Sequence, residues 1–242
     1  MDSVNMDQTL SLIETFIKEK KTTQHIAVNV AKIVEMKKDS SLREIITSCD
    51  LINADGMPIV WASKLLGKPL PGRVAGIDLF QELIKLCANK GYRPFFFGAR
   101  QWVVEKVVEK FREKYSNLDV AGYRNGYYSK EEETEIAEII RASRADILFV
   151  GISSPMKEKF LNTWMDVMQV PFCMGVGGSF DIMAGRIKRA PAWMQQLGME
   201  WFYRFMQEPR RMWKRYAKTN PVFVWMVFNE YLRIKLRKDV VP

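Results

Sequence analysis

The sequence predicts an α/β protein. It should form a mainly parallel sheet with helices on both faces, plus a C-terminal helical appendage. Three observations carry this. Short apolar runs alternate with stretches of helical periodicity through the first three quarters of the chain. Runs such as 147–150 are continuously apolar, as in strands covered on both faces. After Asp181 the strand pattern stops, and helical segments punctuated by Pro191, Pro209 and Pro221 take over.

Each element has its own signal. Segment 9–18 reads as a short amphipathic helix, 24–29 as an extended run, and 30–38 and 42–48 as helices. Strand 50–54 ends in a turn, and helix 58–66 resumes with Pro58 in its first turn, where no N–H is needed. Helix 76–89, strand 93–97, helix 101–115 and strand 118–121 follow. Segment 122–129 is a turn region. Ser129 and Glu132 have the spacing of a capping box and start helix 130–142. Strand 147–150, helix 155–168 and strand 172–176 complete the α/β unit. Helices are then expected at 193–197, 200–206, 209–217 and 221–236. These patterns divide the chain into an α/β core, 1–190, and an appendage, 191–242.

The formal net charge of +9 resides in residues 186–242, where 13 Lys and Arg meet 4 Asp and Glu. Residues 1–185 balance to zero. The same tail carries Trp193, Trp201, Trp213 and Trp225 among its arginines. A basic, aromatic surface suits a lipid headgroup layer better than a nucleic acid. Trp213, Trp225, Phe223 and Val227 are expected towards acyl chains, with Arg211, Arg215, Arg233 and Arg237 near phosphates. The other expectation for such aromatics is packing on the α/β body or a neighbouring subunit. No apolar run approaches the roughly 20 residues of a spanning helix. The first ten residues lack the pattern of a signal peptide. Cys49, Cys87 and Cys173 have no metal-ligand spacing and read as reduced thiols of a cytoplasmic protein.

In a parallel sheet, ligands sit beyond the carboxyl ends of the strands. That rule selects Asn29, Asp55-Gly56, Gly98, 151–155 and 175–181. Asp55 could accept a proton from a hydroxyl nucleophile, or simply cap the next helix. The Gly175-Val176-Gly177-Gly178 turn can hold a phosphate on its amides, although it lacks dinucleotide-binding spacing. Arg73 and Arg189 are candidates to neutralise a diphosphate. Ser153-Ser154-Pro155 precedes a helix and reads as a cap or a ligand contact. No D-x-D pair, Walker A sequence, G-x-S-x-G or Cys/His cluster occurs. His25 is the only histidine and reads as structural.

These segments together resemble the WecG/TagA/CpsF family of bacterial glycosyltransferases from about residue 25 to residue 216. The carrying motifs are Asn53-Ala54-Asp55-Gly56, Gly72-Arg73-Val74-Ala75-Gly76-Ile77-Asp78, Phe97-Gly98, Asn125-Gly126-Tyr127-Tyr128 and the run from Met174 to Asp181. The longest is 185–216, with Lys188-Arg189-Ala190-Pro191, Leu197-Gly198-Met199-Glu200-Trp201, Tyr203-Arg204 and Glu208-Pro209-Arg210-Arg211. The resemblance implies an inverting, metal-independent transfer of a hexose, of the N-acetylmannosamine or glucose type. The donor would be a UDP-sugar and the acceptor a polyprenyl-diphosphate-linked sugar, in cell-surface polysaccharide or teichoic acid synthesis. No cofactor is implied.

By the same resemblance, Asp55 is the general base, and Arg204 and Arg211 stabilise the leaving diphosphate. Asn29, Asn53, Arg73 and Asp78 surround the donor sugar, and Gly175, Gly177 and Gly178 hold uridine diphosphate. Gly56, Gly76, Gly98, Ser154, Pro155, Glu158, Asp181, Arg189, Lys214 and Arg215 complete the expected binding set. The chain would attach peripherally to the inner face of the cell membrane, with self-association possible and no nucleic-acid partner. Ala27 stands where relatives carry Thr, and Met156-Lys157 where they carry Lys-Gln, so Lys157 bears on donor preference. A non-catalytic membrane adaptor on the same scaffold is the other reading.

Overall fold

The computed structural model describes residues 1–238, with side chains to residue 236; the Arg237 side chain and the end of the expected appendage, 239–242, lie outside what is described. Six strands form one sheet: β1 (Thr23–Val28), β2 (Leu51–Ala54), β3 (Pro94–Gly98), β4 (Gly122–Arg124), β5 (Ile147–Gly151) and β6 (Phe172–Gly175). Every pairing is parallel and the order is β2-β1-β6-β5-β3-β4. The chain runs outward from β1 to β2, crosses to β3 and β4, and returns through β5 to place β6 beside β1. The β1–β6 boundary is therefore the switch point at which a crevice opens.

Alternation along the strands assigns the two faces. Phe96, Phe149, Phe172 and Met174 pack with α1 (Met6–Lys18), α5 (Gly76–Lys90) and α6 (Gln101–Lys114). Phe95, Phe97, Leu148, Val150 and Cys173 point the other way, onto α7 (Glu133–Ala142) and α8 (Met156–Met168). Both sides of these strands are dry, which is why their sequences are apolar without a break. Ile26 and Val28 pack with α3 (Ser40–Thr47).

Several boundaries differ from the sequence reading. The strand expected at 118–121 lies at Gly122–Arg124 instead. Leu118 and Val120 are buried as expected of a strand, but they pack as loop residues. Pairing with β3 begins at Gly122, opposite Phe95. There a Cβ would come within 2.6 Å of the Phe95 ring, so only glycine enters the ladder at that point. Helix α1 starts earlier than position 9, at Met6, because Asn5 and Gln8 close a reciprocal capping box. The short helix α9 (Ser179–Met183) had no clear signal.

The largest difference is in the appendage. The segments 209–217 and 221–236 are one helix, α12 (Pro209–Lys238), which runs through Pro221. Proline removes one backbone bond, but Pro221 is exposed, so water can reach the freed carbonyl. Packing outweighs the loss. Phe223, expected towards lipid, is 8% exposed and packs with Val34, Ala54, Ile59 and Val60. Val227 packs on the same cluster. Met194 of α10 (Ala192–Gln196) and Met212 are also buried. The appendage is thus laid on the α/β body, against α2 (Val30–Lys38) and α4 (Met57–Leu65).

Phe80 sits at the centre of the larger core, with Phe96, Phe111, Phe149 and Phe180 around it at centroid distances of 4.6–6.3 Å. Phe80→Ala is expected to lower unfolding free energy by about 3–5 kcal/mol in urea denaturation. A loss under about 1 kcal/mol would show that this aromatic cluster does not organise the core.

Candidate active site

The site begins where β2 ends. The Asp55 amide donates to the Val28 carbonyl at 2.7 Å, which brings the carboxyl end of β2 against that of β1. Gly56 has φ +126°, a conformation that side chains rarely adopt, and it turns the chain into α4. The Val74 amide donates to the Ala54 carbonyl at 2.9 Å, and this ties the Arg73 loop alongside. The Gly76 backbone, at the start of α5, is placed to favour the ionised Asp55 carboxylate. Burial raises the proton affinity of that carboxyl above the ordinary aspartate value, and the Glu200 carboxylate adds to the rise. Arg73, the Gly76 amide and Lys32 pull the other way. A half-buried carboxylate made more basic in a crevice is suited to accepting a proton.

Glu200 comes from α11 (Glu200–Gln207), in the appendage. Arg73 Nη1 donates to Glu200 Oε2 at 3.2 Å. Arg189 lies 2.6 Å from Asp78 and 3.6 Å from Glu200 Oε1, the second contact an ion pair too long for a hydrogen bond. Arg73, Glu200, Arg189 and Asp78 therefore form one chain of charge across the core–appendage boundary. Arg73, Arg189 and Asp78, expected around the ligand, spend charge on one another. Glu200 was missed as a site residue. It lies within the Leu197-Gly198-Met199-Glu200-Trp201 motif that carries the resemblance, but nothing local in that motif assigns it a partner at Asp55.

One turn further along α11, Arg204 reaches the glycine turn. A Cβ on Gly178 would lie 2.9 Å from its guanidinium, so glycine is what permits the approach. Glu208 is 3.8 Å from Arg204 Nε and also pairs with Arg211. Burial and the positive charges of Arg211 and Arg215 lower the pKa of Arg204, and Glu208 opposes them. Arg204 thus stands at the Gly178 end of the turn, with Arg211 and Arg215 near enough to act on its charge and Glu208 between Arg204 and Arg211. Arg211, Lys214 and Arg215 are exposed on α12.

Other expected residues have different places. Asn53 is 1% exposed and does not reach the crevice. Its Oδ1 accepts from His25 Nε2 at 2.8 Å, and its Nδ2 donates to Thr9 Oγ1 at 3.2 Å. Burial holds His25 neutral by lowering its pKa to about 4. Gly98 is a packing residue: a Cβ there would fall 2.4 Å from the Gly151 backbone on the neighbouring strand. Asp181 pairs with Arg186 at 2.8 Å. Asn29 caps α2 by accepting from the Lys32 amide at 3.2 Å, and stays half-buried at the crevice. Pro155 precedes α8, and the neighbouring Ser154 hydroxyl is buried without a hydrogen-bond partner. Glu158 is buried in an ion pair with Lys32. Among the described residues, no group of three or more His, Cys, Asp or Glu side chains is placed to hold a metal ion.

Comparison with known proteins identifies the family. The chain is 38% identical over 193 residues to the N-acetylglucosaminyldiphosphoundecaprenol N-acetyl-beta-D-mannosaminyltransferase of Bacillus subtilis (strain 168), covering 80% of this chain and 74% of the relative. It is 33% identical over 201 residues to the protein of the same name from Bacillus spizizenii (strain ATCC 23059 / NRRL B-14472 / W23), covering 83% and 77%. The profile of the Glycosyl transferase WecG/TagA/CpsF family matches residues 1–237. The match spans the whole parallel sheet, Asp55, the glycine turn and Arg204, and the chain belongs to the WecG/TagA/CpsF family of glycosyltransferases.

Proposed function

We propose that this glycosyltransferase moves a hexose of the N-acetylmannosamine type from a UDP-sugar to an N-acetylglucosaminyl-diphosphoundecaprenol acceptor. The names of the two Bacillus relatives support the sugar and the acceptor. One observation carries the chemistry. The Glu200 carboxylate that raises the proton affinity of Asp55 and the Arg204 guanidinium that lies on Gly178 sit one turn apart on the same appendage helix, which supports a base and a cation acting on one ligand.

Asp55 takes the proton from the acceptor hydroxyl, and that oxygen attacks the anomeric carbon as the bond to UDP breaks. A single displacement inverts the anomeric centre. The departing diphosphate gains charge, and the Gly177 and Gly178 region with Arg204 and Arg211 receives it. Arginine and backbone groups supply this stabilisation without a metal. Asn29, at the β1 end of the crevice, contacts the donor sugar.

The membrane is the second partner. Trp213 and Trp225 of α12 are 65% and 60% exposed, and Trp61 and Leu65 of α4 are 52% and 53% exposed. The turn before α11 packs on α4, since a Cβ on Gly198 would lie 2.8 Å from Met57 and 3.6 Å from Trp61. Lys64 of α4, Lys68 in the loop after it, and Arg210 and Lys214 of α12 are exposed. No helix of the described residues is long and apolar enough to cross a membrane. Peripheral attachment to the inner leaflet, where the lipid-linked acceptor is presented, follows from this face.

Asp55→Asn is expected to lower turnover on the order of a hundredfold or more while UDP binding persists. UDP release from UDP-N-acetylmannosamine and a polyprenyl-diphosphate-N-acetylglucosamine acceptor measures this, and wild-type activity should survive EDTA. Strict metal dependence, or full activity of the Asn variant, would contradict the mechanism. Arg204→Ala is expected to reduce turnover about 10²- to 10³-fold with an unchanged melting temperature. Equal turnover in that variant would remove the arm from the chemistry. In co-sedimentation, vesicles containing phosphatidylglycerol should bind the protein. Replacing Trp61, Trp213 and Trp225 by Ala should release it, whereas Trp102→Ala, an exposed tryptophan on α6, should not. Equal binding by all variants would rule out this face.

A further inference from the structure

A second cluster of charge lies beneath the glycine turn, and the mechanism above does not use it. Lys32 of α2 donates to Glu158 Oε1 at 2.9 Å, and Lys157 Nζ stands 3.2 Å from the same oxygen. All three residues are buried, at 7%, 1% and 8% exposure in that order. Two ammonium groups thus share one carboxylate, and Glu158 Oε2 has no hydrogen-bond partner. Uncompensated positive charge inside a protein is costly unless something answers it.

The position of the cluster indicates what answers it. The Lys157 stem runs against Gly175, where a Cβ would fall 2.8 Å from Cε and 2.9 Å from Cδ. Gly175 ends β6 and opens the turn assigned above to the diphosphate. Any side chain at that position would displace the lysine. Lys32 also acts on Asp55 from the same side. The cluster is therefore built under the crevice, at the switch point between β1 and β6.

We propose that Lys157, held in place by Glu158 and Lys32, is a donor-binding residue that attracts the diphosphate from beneath the Gly175–Gly178 turn, as Arg204 does from the appendage. This rests on the reading of that turn as the UDP site. It makes donor binding sensitive to pH in the mildly alkaline range. Burial and the charge of Lys32 pull the Lys157 ammonium down to about 8, while Glu158 and Glu35 hold it up. Lys32 and Glu35 come from α2 and Glu158 from its own helix. Cys49 is pushed up to about 12, chiefly by burial and against the charge of Lys32, and stays a thiol.

The sign follows from linkage. A bound diphosphate favours the protonated lysine, so its pKa rises on binding. Below about pH 7.5 the lysine is charged in both states and affinity is level. As pH climbs through 8, the free protein loses this proton, binding must restore it, and affinity falls. UDP keeps its full charge across this range, because its last phosphate proton leaves near pH 6.

Isothermal titration of the full chain with UDP, from pH 7 to pH 9, tests this. The dissociation constant should rise by up to about tenfold by pH 9. Near pH 8 the binding enthalpy should vary with buffer ionisation heat, reporting proton uptake. Lys157→Gln should bind more weakly at pH 7 and show no slope. Lys157→Arg should stay tight and level, because arginine keeps its proton throughout. Asp55→Asn should retain the slope. A level wild-type profile with buffer-independent enthalpy would overturn the proposal, as would a wild-type slope in Lys157→Gln. Absence of UDP binding at pH 7 would overturn the functional reading and this inference together. Binding that is present but level overturns this inference alone.

Discussion

The chain of ion pairs Arg73–Glu200–Arg189–Asp78 fixes the relation between the two halves of the protein. Its members alternate between a core loop, the appendage, the boundary segment and α5. Each charge is answered, and the side chains are only 18–37% exposed, so solvent screens them less than at an open surface. Because Glu200 is anchored there, Arg204, one turn later on α11, is delivered onto Gly178. The same anchoring sets the Glu200 carboxylate near Asp55 and makes that aspartate more basic. One interaction thus completes the cation cluster and sharpens the base.

The crevice separates charge by position. On one side stands a carboxylate that burial and a neighbouring acid make reluctant to ionise. On the other stands Arg204 against Gly178, with Arg211 and Arg215 adding positive charge near it. Proton removal and leaving-group stabilisation need opposite electrostatics, and two separate strand ends supply them. The appendage divides its own surface in a similar way. Met194, Met212 and Phe223 are buried on the body, while Trp193, Trp213 and Trp225 face outward. The helix is amphipathic between two apolar environments, and its arginines lie between them.

Much of the fold was legible because apolar strands and capped helices leave local signals. The sheet reads from the apolar runs 93–97, 147–150 and 172–176, each within a residue of its strand. The strand at 122–124 did not, since its place is set by a glycine that meets Phe95 rather than by its own apolar content. The break expected at Pro221 failed because packing of Phe223 on Val34 and Ile59 overrides a local proline penalty. At the site, Asp55, Arg204 and the glycine turn carry recognisable motifs. Asn53 shares its motif with Asp55, yet it lies within β2, enclosed against His25 of β1 and Thr9 of α1, whereas Asp55 stands beyond the end of the strand. Glu200 and Lys32 were silent, because what matters is their partners 127 and 126 residues away in sequence.

A crystal structure with UDP bound tests the central claim most directly. The account predicts the diphosphate against Gly177 and Gly178, with the Arg204 guanidinium on its oxygens and Asp55 facing the space where the sugar would continue. Density for the nucleotide at another edge of the sheet, with Arg204 turned away from it, would contradict the account.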